Sequence, residues 1–235
     1  MTDDHRRRLS DADPWIYQQW MATTQTVGGM DIGKVCHLSV KAKVGKFWHV
    51  IWTEKIRNAK DDPAAPKVLA RYDYYRMARL CIDAGPDITL VNTLVASREG
   101  IRAVVYIKSV PGILPIKEKA AGDVINADRT KALSLLLEKH NTGIVRYPRQ
   151  EYVTKEIFEH LKTTKKIRFR GSDGELTERF TKTSDIDHWV HSLNYASIAA
   201  MAVEDLGSKE VIGAAPMVGR SGWARPANPP RTKSG

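Results

Sequence analysis

The stretch KVCHLSVKAKVG followed by KFWHVIWTEKI (residues 34–56) constrains the fold more than any other. Two runs rich in β-branched and aromatic residues meet at Val44-Gly45-Lys46, where glycine supplies the turn, so they read as a hairpin. The run before them, TVGGMDIG (residues 26–33), extends the hairpin to a three-stranded antiparallel meander, with the segment holding Asp31 as its first strand. At 235 residues and 42% apolar, the chain can bury a substantial core around such a sheet.

Downstream the texture alternates. DDPAAPK (61–67) reads as a loop, VLARYDYYRMAR as a helix and LCIDAG as a short buried strand. TLVNTLVASREG is a second helix ending at Gly100, and IRAVVYIKS a second such strand, which is the α/β pattern. Residues 110–127, with two prolines, read as irregular. DRTKALSLLLEKHNTG is an amphipathic helix with Asp128 as N-cap and Gly143 past its end. IVRYP reads as a strand and TKEIFEHLKTT as a helix. KKIRFRGSDGELTERFTK reads as a polar hairpin turning at Ser172-Asp173-Gly174. The last element, SDIDHWVHSLNYASIAAMAVEDLG, is a helix capped by Ser184 or Asp185 and closing near Gly207.

A net charge of +10, from 37 basic and 27 acidic residues, points to an acidic partner such as nucleic acid. The hairpin contributes Lys165, Lys166, Arg168, Arg170 and Arg179, either as a solvated extension or as a basic finger on nucleic-acid backbone. Residues 1–23 read as a flexible start or linker with a short docking helix, and 208–235 as a basic, Pro/Gly-rich disordered tail. Residues 24–207 then form one α/β domain. No run approaches the roughly 18 apolar residues of a membrane span, and the N-terminus lacks the apolar core of a signal peptide, so an intracellular protein is expected. Cys36 and Cys81, inside apolar runs and without C-x-x-C spacing, read as buried free thiols.

The octet GGMDIGKV (28–35) nearly matches a nucleotide-binding loop, yet Val35 stands where a magnesium-binding hydroxyl is required. Asp31 would also repel phosphate from such a cradle. Asp31 instead joins two other acids in unexpected settings: Asp83 ends the LCID strand and Asp187 begins the last helix. Each has an ordinary alternative, as a strand-end, turn or helix-start acid. Together they offer the carboxylate oxygens that magnesium or manganese prefers, and two such ions about 4 Å apart serve both ends of a phosphodiester displacement. Clustered carboxylates without a cation repel one another.

Four motifs, GGMDIGK, RLCIDAGPDITLVNTL with VVYIKS, NADRTKALSLLLEKHNTGIVRYPR and SDIDHWVHSLNYASIAAMA, resemble the nuclease domain of phage terminase large subunits over residues 24–203. The resemblance implies an RNase H-like fold: a central mixed sheet, antiparallel meander plus parallel strands, flanked by helices and carrying an inserted β-hairpin. It implies an endonuclease cutting concatemeric viral double-stranded DNA, with Asp31, Asp83 and Asp187 holding two magnesium or manganese ions. It further implies action in the host cytoplasm and, as partners, the terminase small subunit, the portal and an ATPase domain.

Two departures stand out. Asp187 is followed by His188 and then by His191, where one form of the family motif has a second acid, so His188 and His191 become candidate assisting ligands. No complete phosphate loop precedes Asp31, so the expectation is an excised domain or a split gene product without ATPase activity of its own. Asp87 reads as a helix start or secondary carboxylate, Asp185 as a cap or outer ligand, Lys34 as a phosphate contact or surface lysine, and Arg129 as a local ion pair or DNA contact. His37, His49 and His140 show no convergent spacing and read as structural, and the glycines of the octet as letting the strand pass close to metal and DNA backbone. A Holliday-junction resolvase, another RNase H-like nuclease, or a binding module that has lost catalysis are the competing readings. The long Asp83–Asp187 interval with its basic hairpin favours the terminase type over a compact RNase H.

Overall fold

The computed structural model describes residues 25–107, 116–118, 122–148, 151–170, 176–182 and 187–213. The N-terminal segment, the tail beyond residue 213, the hairpin turn at Ser172-Asp173-Gly174 and the Ser184/Asp185 cap lie outside the described residues.

The meander is present as β1 (Thr26–Asp31), β2 (Val35–Val44) and β3 (Phe47–Arg57), with Gly45 at φ 59° in the β2–β3 turn. On the other side of β1, β4 (Met77–Asp83) and β5 (Ile101–Ile107) run parallel to it. The sheet is completed by β6 (Ile116–Glu118), β7 (Val124–Asp128) and β8 (Val145–Arg146), in the order β6-β7-β5-β4-β1-β2-β3-β8. A meander joined through its first strand to parallel strands is the RNase H-like arrangement. β1 lies between an antiparallel and a parallel neighbour and is buried throughout, as a strand covered on both faces must be.

Helices α1 (Ala64–Tyr74) and α2 (Ile88–Ser97) cover one face, packing Val68, Leu90 and Leu94 against Met30, Leu38 and Leu80. The other face is covered by α3 (Arg129–Asn141), α4 (Glu151–Thr163) and α5 (His188–Gly213), which pack Leu133, Ile157 and Leu193 against Val27, Val50 and Cys81. A bulge near Ile51 changes which side chains of β3 face which layer, so that Trp48 packs under α5 while Ile56 joins the opposite core. β9 (Thr164–Arg170) and β10 (Leu176–Lys182) form a separate two-stranded sheet, the expected hairpin. Among the described residues, no helix is long and apolar enough to cross a membrane.

Several elements differ from expectation. Residues 64–67 belong to α1, because Pro66 sits in its first turn, where a missing N–H costs nothing. α1 stops sooner, at Tyr74, where Arg76 takes a left-handed φ of 49° and lets β4 start at Met77. The stretch read as irregular contains β6 and β7, the latter paired with β5. α5 continues through Gly207 to Gly213.

The contact that sets the site is between β1 and α5. A Cβ on Gly29 would stand 2.0 Å from the Ala196 nitrogen and 2.1 Å from the Ser192 carbonyl oxygen, so only glycine lets the helix lie directly on the strand. Ser192 Oγ donates to the Gly29 carbonyl at 3.0 Å and lies 2.9 Å from Ser39 Oγ on β2. Gly29 thus serves helix packing, not an approach to metal or DNA.

Candidate metal centre

Strand alternation places Asp31 on the α5 side of β1, and the register Met30↔Ile82 makes Asp31 and Asp83 the next neighbours along parallel strands. The first turn of α5 then brings His188 to the same rim, its Nδ1 2.8 Å from Asp31 Oδ2. Asp31 is 7% exposed, and burial pushes its carboxyl above the usual range. The contact with His188 opposes that shift and the neighbouring Asp83 adds to it.

Asp187 precedes α5, with its backbone carbonyl accepting from the amides of Val190 and His191. Its side-chain Oδ2 lies 3.2 Å from His191 Nε2, one helical turn away, and Arg129 reaches the same nitrogen at 3.5 Å. Arg129 also stands over the Tyr106 ring, 5.8 Å from its centre. Residues of the hairpin's base, Thr164 and Phe180, line a small recess with Arg129, Asp187 and His191. The hairpin therefore starts beside Asp187.

A residue that sequence spacing did not select also joins the rim. His37 is the direct cross-strand partner of Asp31 in the β1–β2 pair. It stacks on His188 with ring centres 4.8 Å apart and planes 12° from parallel, and Trp189 packs edge-on against it at 4.8 Å. One donor atom each from Asp31, His37 and His188 lie within 4.8 Å of one another. His37 is 5% exposed, and burial, with His188 next to it, depresses its pKa to about 4. The signal that locates it is the register of a short β1–β2 connection.

The other candidates divide by position. Lys34 is exposed in the bend after Asp31. Asp87 caps α2, accepting from the Leu90 amide at 2.9 Å and from Asn58 Nδ2 at 3.0 Å, and these bonds hold its carboxyl below the usual range. Asp185 lies outside the described residues. On the hairpin, Glu178 pairs with both Lys166 and Arg168, the latter at 2.7 Å. Arg179 stacks on Phe169 at 4.8 Å, and Lys165 and Arg170 are exposed. His49 packs near Phe47, and His140 between Tyr147 and Phe158. Both cysteines are buried thiols outside any disulfide, on opposite faces of the sheet.

No protein-family model matches the chain, and no curated protein matches it. Among solved structures the chain is similar to the large terminase nuclease from thermophilic phage G20c, at 19% identity over 74% of this chain and 81% of that one (TM-score 0.48). It is similar to the same nuclease with bound magnesium, at 19% identity over 73% and 79% (TM-score 0.49). The large terminase nuclease domain of Thermus phage P74-26 is likewise similar, at 17% identity over 73% and 77% (TM-score 0.45).

Proposed function

We propose that this protein is a divalent-metal-dependent DNA endonuclease of the terminase large-subunit type, cutting double-stranded DNA during viral genome packaging. The observation that carries the reading is one rim of the sheet. Asp31 and Asp83 end neighbouring parallel strands, and α5 starts with His188 against Asp31, just after Asp187. A buried carboxyl that meets both a second acid and an imidazole has little structural value, since burial alone disfavours its charge.

The residues present suit magnesium or manganese: three carboxylates come from separate elements, with room at the half-exposed His188. Such ions, when bound, would supply Lewis acidity for phosphodiester hydrolysis. Asp31, Asp83 and Asp187 provide the oxygen ligands. His188 orients the Asp31 carboxylate, and His191 does the same for Asp187. Arg129 sits beside the Asp187–His191 pair to contact a phosphate, and Lys34, exposed in the bend after Asp31, offers a second cation. Lys165, Arg170 and Arg179 on the hairpin track the DNA backbone away from the cut, with Lys166 and Arg168 partly neutralised by Glu178. In this reading the chain works in the host cytoplasm with an ATPase domain, a small subunit and the portal.

A binding module without catalysis is the second reading, favoured by imidazoles lying against two of the three acids. Incubation with supercoiled plasmid in magnesium, in manganese and in EDTA, beside Asp31→Ala and Asp187→Ala, decides between them. The nuclease reading expects cleavage in metal alone and none in either variant. Cleavage persisting in EDTA overturns the metal mechanism, and DNA binding without cutting in either metal establishes the module.

A further inference from the structure

We propose that a cleft at the opposite end of β4 from Asp83 binds a small phosphate-bearing anion, of up to nucleotide size, between Arg79, Arg98, Arg102 and Tyr72. The inference goes beyond the metal centre and does not depend on the reaction carried out there.

The first argument is the convergence of charge. The cleft has a volume of about 400 Å³ and is lined by Tyr72 of α1, Arg79 of β4, Arg98, Glu99 and Gly100 after α2, and Arg102 of β5. Three guanidiniums from separate segments of the chain thus share one concavity with a single acid, Glu99. Like charges gathered in this way repel one another, and an anion between them relieves the repulsion. Burial pushes the Tyr72 hydroxyl above its usual range, Arg79 pulls it back, and Arg102 and Arg98 pull the same way. All three cations therefore act on the same hydroxyl.

The second argument is how the wall is built. The pairing of β1 with β4 jumps from Thr26↔Met77 to Val27↔Arg79, so Ala78 is an extra residue in β4. Such a bulge re-aims the neighbouring side chain and is common beside functional sites. Here it sets Arg79, 6% exposed, in the wall of the cleft. The Tyr72 hydroxyl lies over the Gly100 backbone, where a Cβ would stand only 2.0 Å from it. Arg98 holds Asp73 through Nε at 3.0 Å and Nη2 at 2.7 Å, and Arg102 Nη1 donates to the Glu99 carbonyl and, at 3.0 Å, to the Ile101 carbonyl. These bonds fix the direction of the side chains in advance, which lowers the cost of ordering them around a ligand.

The ligand class follows from the donors and the space. A guanidinium fork meets phosphate oxygens two at a time through charge-assisted hydrogen bonds. The volume falls in the range of small-molecule pockets. A DNA backbone presents its phosphates along a track, as the exposed cations of the hairpin do for it, whereas here the cations close on one concavity. That favours a small anion over a duplex.

The test is calorimetry of the metal-free full chain at fixed ionic strength, with inorganic phosphate, pyrophosphate and a nucleoside diphosphate as separate titrants. Working without metal keeps metal-bridged phosphate at the Asp31 rim out of the readout, and Asp31→Ala is expected to bind like wild type. Saturable one-to-one binding of at least one titrant is expected. Arg102→Gln and Arg98→Gln should each weaken it about 10-fold or more, as loss of one charge-assisted hydrogen bond does. Arg98→Gln, which breaks only an exposed ion pair, carries the test if Arg102→Gln fails to fold by circular dichroism. Tighter binding of the nucleoside diphosphate than of pyrophosphate assigns a nucleotide, equal binding assigns an inorganic phosphate, and either supports the site. No saturable binding, folded arginine variants that bind like wild type, or binding lost in Asp31→Ala overturns the proposal. So does a short DNA duplex that binds through Arg98 and Arg102 when none of the small anions binds.

Discussion

β2 carries two buried basic side chains on the same face, beneath the same helix, and they have opposite fates. His37, at the end nearest Asp31, leaves Nδ1 without a partner and stacks on a second imidazole. Lys41, four residues on, is 1% exposed, but its amine donates to the Leu193 carbonyl at 3.0 Å and to Ser197 Oγ at 2.7 Å. Ser39 between them is tied to Ser192. Burial alone therefore does not distinguish a site from a scaffold. The two differ in their hydrogen bonds: those of the Lys41 amine are made within the protein, whereas His37 Nδ1 has none.

The largest effect expected is at the unsatisfied end. Asp31→Asn should lower plasmid cleavage about 1,000-fold or more, since ligand loss removes several kcal/mol of transition-state stabilisation. Thermal unfolding of the same variant should rise or hold level, because burial already disfavours the Asp31 charge. A large fall in the unfolding temperature would make Asp31 a structural residue and dissolve the contrast.

Next is the shared scaffold. Gly29→Ala pushes a methyl into the α5 backbone and should cost about 3 kcal/mol or more in denaturant unfolding, at the upper end of overpacking. A near-neutral result would mean that β1 and α5 are not in direct contact.

The satisfied end yields a pH signature. Burial, with a smaller contribution from Lys139, lowers the Lys41 amine from the ordinary 10.5 to about 7. Between those values the unfolded chain binds the proton that the folded chain lacks, so stability rises with pH from about 7 toward 10.5 and the contribution is flat below. The span is on the order of a few kcal/mol. Lys41→Met should flatten that slope in urea unfolding at pH 7, 8 and 9, and leave Ser197 bonded to the Leu193 carbonyl. An unchanged slope would show that the proton is taken up elsewhere.

The smallest effects belong to the hairpin, where charge is exposed. Lys165→Ala should weaken DNA binding several-fold and reduce its salt dependence by about one unit of slope, as loss of one phosphate contact does. Lys166→Ala should do less, because its charge is already paired with Glu178. Filter binding at several salt concentrations ranks the two, and the reverse order would mean that Glu178 does not hold Lys166 in solution.

Much of this was legible along the chain because local signals coincide with tertiary ones. The meander and its Gly45 turn, the caps at Asp87 and Asp128, and the hairpin all follow from residue type and spacing. Asp31 stood out as a carboxylate in a buried strand. β6 and β7 were hidden by Pro111, Pro115 and the charges around them, which speak of a loop until β5 offers an edge to pair with. Lys41 is one lysine of the alternating KAK, indistinguishable by sequence from a surface position until α5 covers it. His37 escaped because its distance from Asp31 was measured along the chain, while the relevant neighbour lies across the strand pair.

The sequence by itself determined the meander, the hairpin and the alternation of helices with buried strands, and it singled out three acids as candidates, because hydrophobic period, turn chemistry and a charge out of place are properties of neighbouring residues. Only the tertiary structure brought His37 to Asp31. The register of β1 against β2 puts His37 opposite Asp31, and Gly29 lets α5 come close enough to deliver His188 to both. Those are relations between elements far apart in sequence, set by packing and by strand alignment, and no local pattern encodes them.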